Sequence, residues 1–580
     1  MSRFSVARVL PDVTGLDKEF DYRIPDELAG VEVGSIVRVP LHGRRVRGWV
    51  VELDPPDPPA TLLQPVAQVS SRGPAPDLIE LARWASVRWA AGRLRPFLVA
   101  ASPPTNVAGL PLDRRSGRRV EPAHAGALEL LAEGGGMLRL PPTNDVIPVV
   151  AAASGLGPTL VVVPSAERAK LDAIRLRRAG LSVAAVPEEW ALAAAGVDVV
   201  IGARTAAWAP CPDLAAVVVV DEHDEALQEE RSPTWHARDV AVERARRAGA
   251  PVLLVSPCPT VTGLAAVGDR LRRPAVDDER AGWPFVEVVD RQRDEPWKTS
   301  LVTGPLIAHL RDPQRVVVCV HNTPGRARIL ACRTCRTLAR CERCEAAVAL
   351  TDEGTLRCPR CGLVRPPVCR QCGATAFRNL RPGVTRLREE LEAAAGRPVI
   401  AVTGRDDEPP APAGVYVGTE AVLHRVRRAD VVAILDLDTE LLAPRYRAAE
   451  QAMALIVRAA RLVGPRAGGG RVLLQTFLPG HEVVRAALLA DPGRLVGPEA
   501  ERRRVLALPP FGALAAVSGT GGDQFAEALR KVRGIRVGGG GGGGVSLVRA
   551  PTWDELGHAV IATPRPKGSR LRIEVDPPRQ

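Results

Sequence analysis

Short valine-rich runs separated by amphipathic stretches constrain this chain more than any other feature. Between residues 159 and 256, "TLVVVPS", "LSVAAVP", "VDVVIGAR", "LAAVVVVDE" and "APVLLVS" alternate with helical patterns such as "AERAKLDAIRLRRAG" and "ARDVAVERARRAG". Apolar runs of that length, joined by helices, imply strands buried on both faces and βαβ units around a parallel sheet. A second set covers about 300–330 ("RVVVCVH") and 395–480 ("GVYVGTE", "ADVVAILDLD", "RVLLQTF"). The pattern predicts an α/β chain with two parallel-sheet lobes.

The run 214–220 leads into Asp221-Glu222-His223-Asp224. A parallel strand that delivers acids to the carboxyl edge of its sheet is placed to meet a nucleotide and its Mg²⁺. Such a site also needs a phosphate cradle, G-x-x-x-x-G-K-[ST], earlier in the chain. The five lysines are Lys18, Lys170, Lys298, Lys531 and Lys567, and none follows a glycine. The phosphate-loop lysine does not exist.

At 580 residues the chain exceeds one core, and its length suggests about four domains. The net charge is +12, and 73 of the 78 basic residues are arginine. That balance fits a polyanion partner, nucleic acid first, although a genome rich in G and C also replaces lysine by arginine. No apolar run approaches the ~20 residues that span a bilayer, and "MSRFSVARVLPD" has no signal-peptide core. The expectation is a cytoplasmic protein with no membrane contact. "VGSIVRVPLHGRRVRGWVVEL" alternates with period 2 and turns at Gly34 and His42-Gly43, predicting a β-meander. Residues 103–122 read as a linker, and the seven glycines Gly538 to Gly544 as a flexible loop in the last domain.

Eight of the eleven cysteines lie between 332 and 372, as "CRTC", "CERC", "CPRC" and "CRQC". A C-x₂-C turn puts two thiolates on one edge of a tetrahedral Zn²⁺, so four turns make two Cys₄ sites. Without an export signal, zinc is favoured over disulfides. "EAAVALTDEGTLR" reads as a hairpin turning at Asp352-Glu353-Gly354. It would join Cys341 and Cys344 with Cys358 and Cys361 in a zinc ribbon. Cys332, Cys335, Cys369 and Cys372 would form an outer, nested site. Closed Cys₄ sites are structural, not catalytic. Cys211, Cys258 and Cys319 are expected as packed thiols.

With these motifs in place, the chain resembles the primosomal protein N′ (replication restart protein PriA) family over essentially its whole length. The resemblance rests on "EFDYRIP", "VVIGARTAAWAP", "DEHD…WHARDVAVERA" and the eight-cysteine insert, then on "AILDLDTELLAPRYRAAEQA", "RVLLQT", "LALPPFG" and "EVDPPR". It implies two RecA-like helicase lobes, an N-terminal β-rich domain that captures 3′ DNA ends, two zinc sites, and a C-terminal α+β DNA-binding domain. The expected boundaries are 1–102 for the 3′-end domain, 103–122 linker, 123–268 first lobe, 269–331 with 373–484 second lobe, 332–372 zinc insert, and 485–580 C-terminal domain. The family's winged-helix segment has little room.

Several residues take family roles by that resemblance. Phe20 and Asp21 match the 3′-end pocket, where a carboxylate accepts from the terminal 3′-hydroxyl and the ring packs on the base. Gly43 matches its close-approach turn. The alternative is that "FDYRIP" is a strand with an Asp turn. Trp235, beside His236, either stacks on a base or packs on the lobe surface. Arg44, Arg45 and Arg47 either bind phosphates or form a solvated strand face.

The departures from the family pattern concentrate on the nucleotide. "MLRLPPTNDVIPV" (137–149) stands where the phosphate loop belongs. D-E-H-D is one residue shorter than the family box, and Ser256-Pro257-Cys258-Pro259 replaces S-A-T-P. Arg458 and Pro465 fall where the family has Gln and its last Arg. An arginine finger alone supplies about 10³–10⁵ in rate. On this reading Asp221, Glu222 and His223 are vestigial, no catalytic residue is expected, and ATP and Mg²⁺ have no site. Asp221 and Glu222 either hold a divalent ion or pair with nearby arginines. The expected function is a replication restart and primosome assembly factor that recognises branched forks and single-stranded 3′ ends. It would act as a monomer at the nucleoid and recruit primosome and replisome proteins, with two Zn²⁺ per chain. The alternatives are an active ATP-dependent 3′→5′ DNA helicase with an unconventional nucleotide site, or a zinc-stabilised scaffold that does not touch DNA.

Overall fold

The valine-rich runs of the first lobe form five consecutive strands of a seven-stranded parallel sheet. Its strand order is Leu271–Arg272, Gly135–Arg139, Val252–Ser256, Ala216–Val220, Thr159–Val162, Val199–Gly202 and Val183–Val186. Ala216–Val220 is fourth of seven and buried at every residue, which is why it can be wholly apolar. The computed structural model describes residues 5–579 except 29, 58–62, 294–299, 323–329, 352, 380–383, 404–409, 412–413 and 540–543. The second lobe is a six-stranded parallel sheet in the order Phe285–Asp290, Arg471–Thr476, Val431–Ile434, Val317–Val320, Val415–Gly418 and Val399–Val402. Two parallel-sheet α/β lobes are therefore present.

Four sequence expectations change. The strand Leu271–Arg272 pairs with Gly135–Arg139, so the first lobe's sheet runs past the expected boundary at 268. The cysteine insert is framed by Leu330–Cys332 paired with Phe377–Asn379, and so begins and ends beyond 332–372. The N-terminal strands do not meander. Val6–Pro11 inserts between Phe20–Arg23 and Arg44–Leu53, and Arg23 bridges Pro65, which curls the sheet toward a barrel. Ala7, Val9, Tyr22, Val37, Val39 and Val50 fill its inside. In the C-terminal antiparallel sheet, Gly538 and Gly539 are strand residues paired with Leu547 and Ser546, so two of the seven glycines belong to a ladder. Residues 540–543 of that run, and Asp352 of the insert hairpin, lie outside the described residues.

One apolar core runs through three of these units. It joins Ile36, Trp49 and Phe97 of the N-terminal domain, Trp208, Val217 and Trp235 of the first lobe, and Phe525, Val548 and Val575 of the C-terminal domain. The N-terminal helix Pro76–Arg88 meets the C-terminal helix Trp553–Ala562 at close range. A Cβ on Gly557 would lie 2.1 Å from the Val87 carbonyl oxygen. Arg88, at the end of the first helix, stacks 3.8 Å from the Trp553 ring and reaches Asp239 of the first lobe at 3.1 Å. Gly557→Ala is expected to destabilise the chain by about 1–3 kcal/mol through overpacking. The measure is a lowered urea midpoint with an unchanged slope.

Candidate functional site

The four residues Asp221 to Asp224 leave the carboxyl end of their strand as expected, and each meets a partner from within the chain. Asp221 is held bidentately by Arg461 of the second-lobe helix Ala448–Val463, with Nη1 donating to Oδ2 at 2.6 Å. Burial pushes the Asp221 carboxyl up, and Arg461 outweighs it, so the group stays below its usual range. Arg461 Nε also donates to the Pro142 carbonyl at 3.1 Å. Glu222 accepts from Thr260 N and Oγ1, both at 2.8 Å, and from Arg238 at 3.2 Å. Burial holds its carboxyl above the usual range despite Arg238. His223 Nδ1 lies 2.8 Å from Ser256 Oγ, and burial pushes its imidazole down to about 4. Asp224 accepts from Ala226 N at 2.9 Å, closing the next turn, and from Arg458 at 3.2 Å. Arg458 also pairs with Glu420 of its own lobe. A cavity of about 350 Å³ remains between the lobes.

The segment in the phosphate-loop position keeps the strand–loop–helix order, from Gly135–Arg139 to Ile147–Ser154. Its contents differ. Leu140 and Val146 are packed into the lobe's core. Asp145 Oδ1 accepts from Ile147 N at 3.1 Å, so a carboxylate already caps the helix start where a phosphate would bind. Arg175 pairs with that carboxylate at 2.5 Å. Arg139 is buried against Glu279 at 2.7 Å and Asp491 at 2.5 Å. Pro465 lies away from the acids, in a separate cavity with Leu140 and Pro141.

The eight thiols gather into two groups, Cys332, Cys335, Cys369 and Cys372, and Cys341, Cys344, Cys358 and Cys361, each with all Sγ atoms within 4.8 Å. This is the nested pairing. The closest cross-pair sulfurs are 3.4–3.5 Å apart, near the ~3.8 Å edge of a tetrahedron with ~2.3 Å metal–thiolate bonds. Each C-x₂-C turn closes by a hydrogen bond from the residue after its second cysteine to the carbonyl of its first, at 2.9–3.0 Å. Those four closing residues, Arg336, Glu345, Gly362 and Gly373, all have positive φ. Two of them are not glycine, so the turns hold a backbone conformation that a side chain disfavours. Both groups can hold a metal ion.

In the N-terminal barrel, Arg8 donates to Asp21 through Nε at 2.9 Å and Nη2 at 3.1 Å, and to Glu52 at 2.8 Å. Two acceptor positions of Asp21 are thus already used. Phe20, half-buried, packs on the barrel interior with Lys18 Nζ 5.4 Å from its ring. Gly43 is in the hairpin turn between Ile36–Leu41 and Arg44–Leu53, where φ of +76° favours glycine. Trp235 is corrected. It is 4% exposed, edge-on to Trp208 at 5.9 Å, and it belongs to the shared core rather than to a base-stacking surface. The residues that sequence reasoning missed are Arg461, Arg238, Thr260 and Asp145. Arg461 follows Arg458 by three positions, hence on the same face of an amphipathic helix, and that spacing could have found it.

Two outcomes are expected from this geometry. Metal should bind with a stoichiometry of two per chain, measured by elemental analysis, and chelation should unfold the insert. Cys341→Ser and Cys358→Ser should release the same ion and leave the other. Separately, Arg461→Met leaves Asp221 buried without its cation and should cost about 3 kcal/mol. Asp221→Asn combined with Arg461→Met should recover a large part of that loss in a double-mutant cycle read by denaturant melts.

The model of the PriA 3′ DNA-binding domain matches residues 8–97. The replication restart protein PriA of Bacillus subtilis is 26% identical across 60% of this chain and 46% of its own length. That of Haemophilus influenzae is 27% identical, with 46% of its length covered. The chain thus spans under half the length of these two relatives. The probable replication restart protein PriA of Mycobacterium tuberculosis is 30% identical, covering 89% of this chain and 87% of its own. Among solved structures, S. cerevisiae Dbp5 bound to RNA and ADP BeF3 is 10% identical over 64% of this chain and 85% of that one, with a TM-score of 0.35, too low to support any inference. A 3′ DNA-binding domain at the amino end, and a relative aligned along nearly all of both chains, make this protein a member of the replication restart protein PriA family.

Proposed function

We propose that this protein is a replication restart factor that recognises branched DNA through a free 3′ end and recruits primosome and replisome proteins without consuming ATP. The match of residues 8–97 to a 3′ DNA-binding domain supports the DNA half of this reading. One observation carries the other half: the acids that line the cleft between the lobes are paired with the chain's own charges. Arg461 occupies the first acid of the box, Arg238 and Thr260 occupy the second, and Asp145 caps the helix after the would-be phosphate loop. A Mg²⁺-nucleotide would have to displace an arginine from Asp221 and enter beside a fixed carboxylate, with no lysine to compensate it. Asp221, Glu222 and His223 are on this account structural, and no catalytic residue is assigned.

The two cysteine groups are assigned Zn²⁺, since four thiolates in a closed tetrahedral arrangement suit it and leave no open coordination position. Their role is to hold the insert, which packs on the second lobe through Ala331, Leu338 and Ala347 against Leu442 and Phe477. Among the described residues no helix is long and apolar enough to cross a membrane. The place of action assigned to the protein is the cytoplasm, at the nucleoid, as a monomer.

The test uses the whole chain. ATP with Mg²⁺ is expected to leave the melting temperature unchanged, whereas occupancy at a hundredfold excess over Kd would add about 2.7 kcal/mol. No hydrolysis above background is expected with forked DNA present. Glu222→Gln should not change fork binding. A fork with a free 3′-hydroxyl should bind tighter than one ending in phosphate, and Asp21→Ala should erase that preference. A DNA-stimulated ATPase that Glu222→Gln abolishes would sink the ATP-free reading, and equal affinity for the two forks would sink the end-pocket assignment.

A further inference from the structure

We infer that Arg38, Arg45 and Arg47 form a second DNA contact on the N-terminal barrel, a track for the phosphate backbone of a duplex arm, distinct from the Phe20–Asp21 pocket. This rests on the DNA reading above and adds a site and a ligand class to it.

The strands Ile36–Leu41 and Arg44–Leu53 are antiparallel, with Arg38 opposite Arg47 and Pro40 opposite Arg45. Residues directly opposite, and residues two apart, share a face of a sheet. The three guanidinium groups therefore leave the same face. Arg38 and Arg45 are exposed and Arg47 is half-buried. Further along that face Ile36 and Trp49 are fully buried in the core shared with the helices. The face is covered at one end and open where the arginines stand.

Two observations separate this patch from an ordinary solvated strand face. Like charges placed directly across a strand pair are destabilising, yet Arg38 and Arg47 are so placed. The nearby acids are engaged elsewhere: Asp21 and Glu52 by Arg8, and Asp12 by Arg95. Among the described residues no carboxylate pairs with Arg38, Arg45 or Arg47, and the contact Arg47 makes is with the Trp49 ring, 5.9 Å from its centroid. A bound polyanion supplies the missing charge.

The chemistry also selects the form of nucleic acid. Sequence-tolerant binding of single strands relies on aromatic platforms for the bases. The only aromatic on these two strands, Trp49, is fully buried. What the face offers is charge alone, which suits a duplex backbone.

The experiment compares the full chain with R38Q/R45Q/R47Q on an end-blocked duplex and on forks, across a salt series. The slope of log affinity against log salt should become shallower by about 2–3, at ~0.9 per phosphate contact, and duplex affinity at low salt should fall about tenfold. The preference for a 3′-hydroxyl over a 3′-phosphate should persist. R38K/R45K/R47K should keep the original slope, which a packing role for the arginines would not allow. An unchanged slope in the glutamine variant overturns the track while leaving the DNA reading standing. A loss confined to single-stranded DNA overturns the duplex assignment. An unmutated chain with no affinity for any DNA overturns both readings.

Discussion

A carboxylate buried away from water needs a cation or hydrogen-bond donors to compensate it, and across the domain boundaries of this molecule the compensation comes from arginine. Asp221 of the first lobe takes Arg461 of the second, and Asp224 takes Arg458. Asp239 of the first lobe takes Arg88 of the N-terminal domain. Asp576, near the end of the chain, takes Arg447 at 2.7 Å and accepts from Tyr446 Oη at 2.7 Å, both in the second lobe. Glu450 takes Arg503 at 2.6 Å and accepts from Val261 N of the first lobe at 2.9 Å. Each pair gains little over an apolar substitute, but breaking one strands a buried charge. Their effect is to fix which surfaces meet.

Arginine suits this task. It stays charged when buried, and its planar fork satisfies both oxygens of a carboxylate while stacking on an aromatic face. Arg88 pairs with Asp239 through one nitrogen and stacks on Trp553 at the same time. An arginine-rich composition therefore has two uses here. A buried subset, Arg88, Arg139, Arg238, Arg244, Arg291 and Arg503, sits inside the fold, and other arginines face outward where a polyanion could meet them. Net charge alone could not divide the two.

The consequence for function is a cleft whose electrostatics are already settled. In a nucleotide-driven machine the acids at the sheet edge need an exchangeable partner. Here the partner is covalently part of the chain, three residues along the same helix from Arg458. The C-terminal segment adds a further tie, since Gln451 of the second-lobe helix donates to the Pro578 carbonyl at 2.8 Å and Arg579 reaches Glu225 of the first lobe at 3.0 Å. The N-terminal domain, first lobe and C-terminal domain share one core, so the barrel is held at a fixed position relative to the first lobe.

Much of this was legible in the amino-acid order, because it depends on local pattern. Period and apolarity located the parallel strands from Thr159 to Ser256, C-x₂-C spacing with one intervening hairpin set the nested cysteine pairing, and the absence of a glycine before every lysine excluded the phosphate loop. The barrel's strand order was not legible, since alternation gives strands but not neighbours, and Val6–Pro11 pairs with Arg44–Leu53 across about forty residues. Nor was the fate of Trp235, whose ring could face solvent or core until Trp208 and Phe97 were brought against it. The acids at 221–224 were visible, while the cations that neutralise them were not. Arg461 lies 240 residues from Asp221 in sequence, and only the closing of one lobe on the other brings them together. Sequence determined which charges must be compensated; tertiary structure decided by what, because burial creates the demand locally and long-range packing supplies the partner.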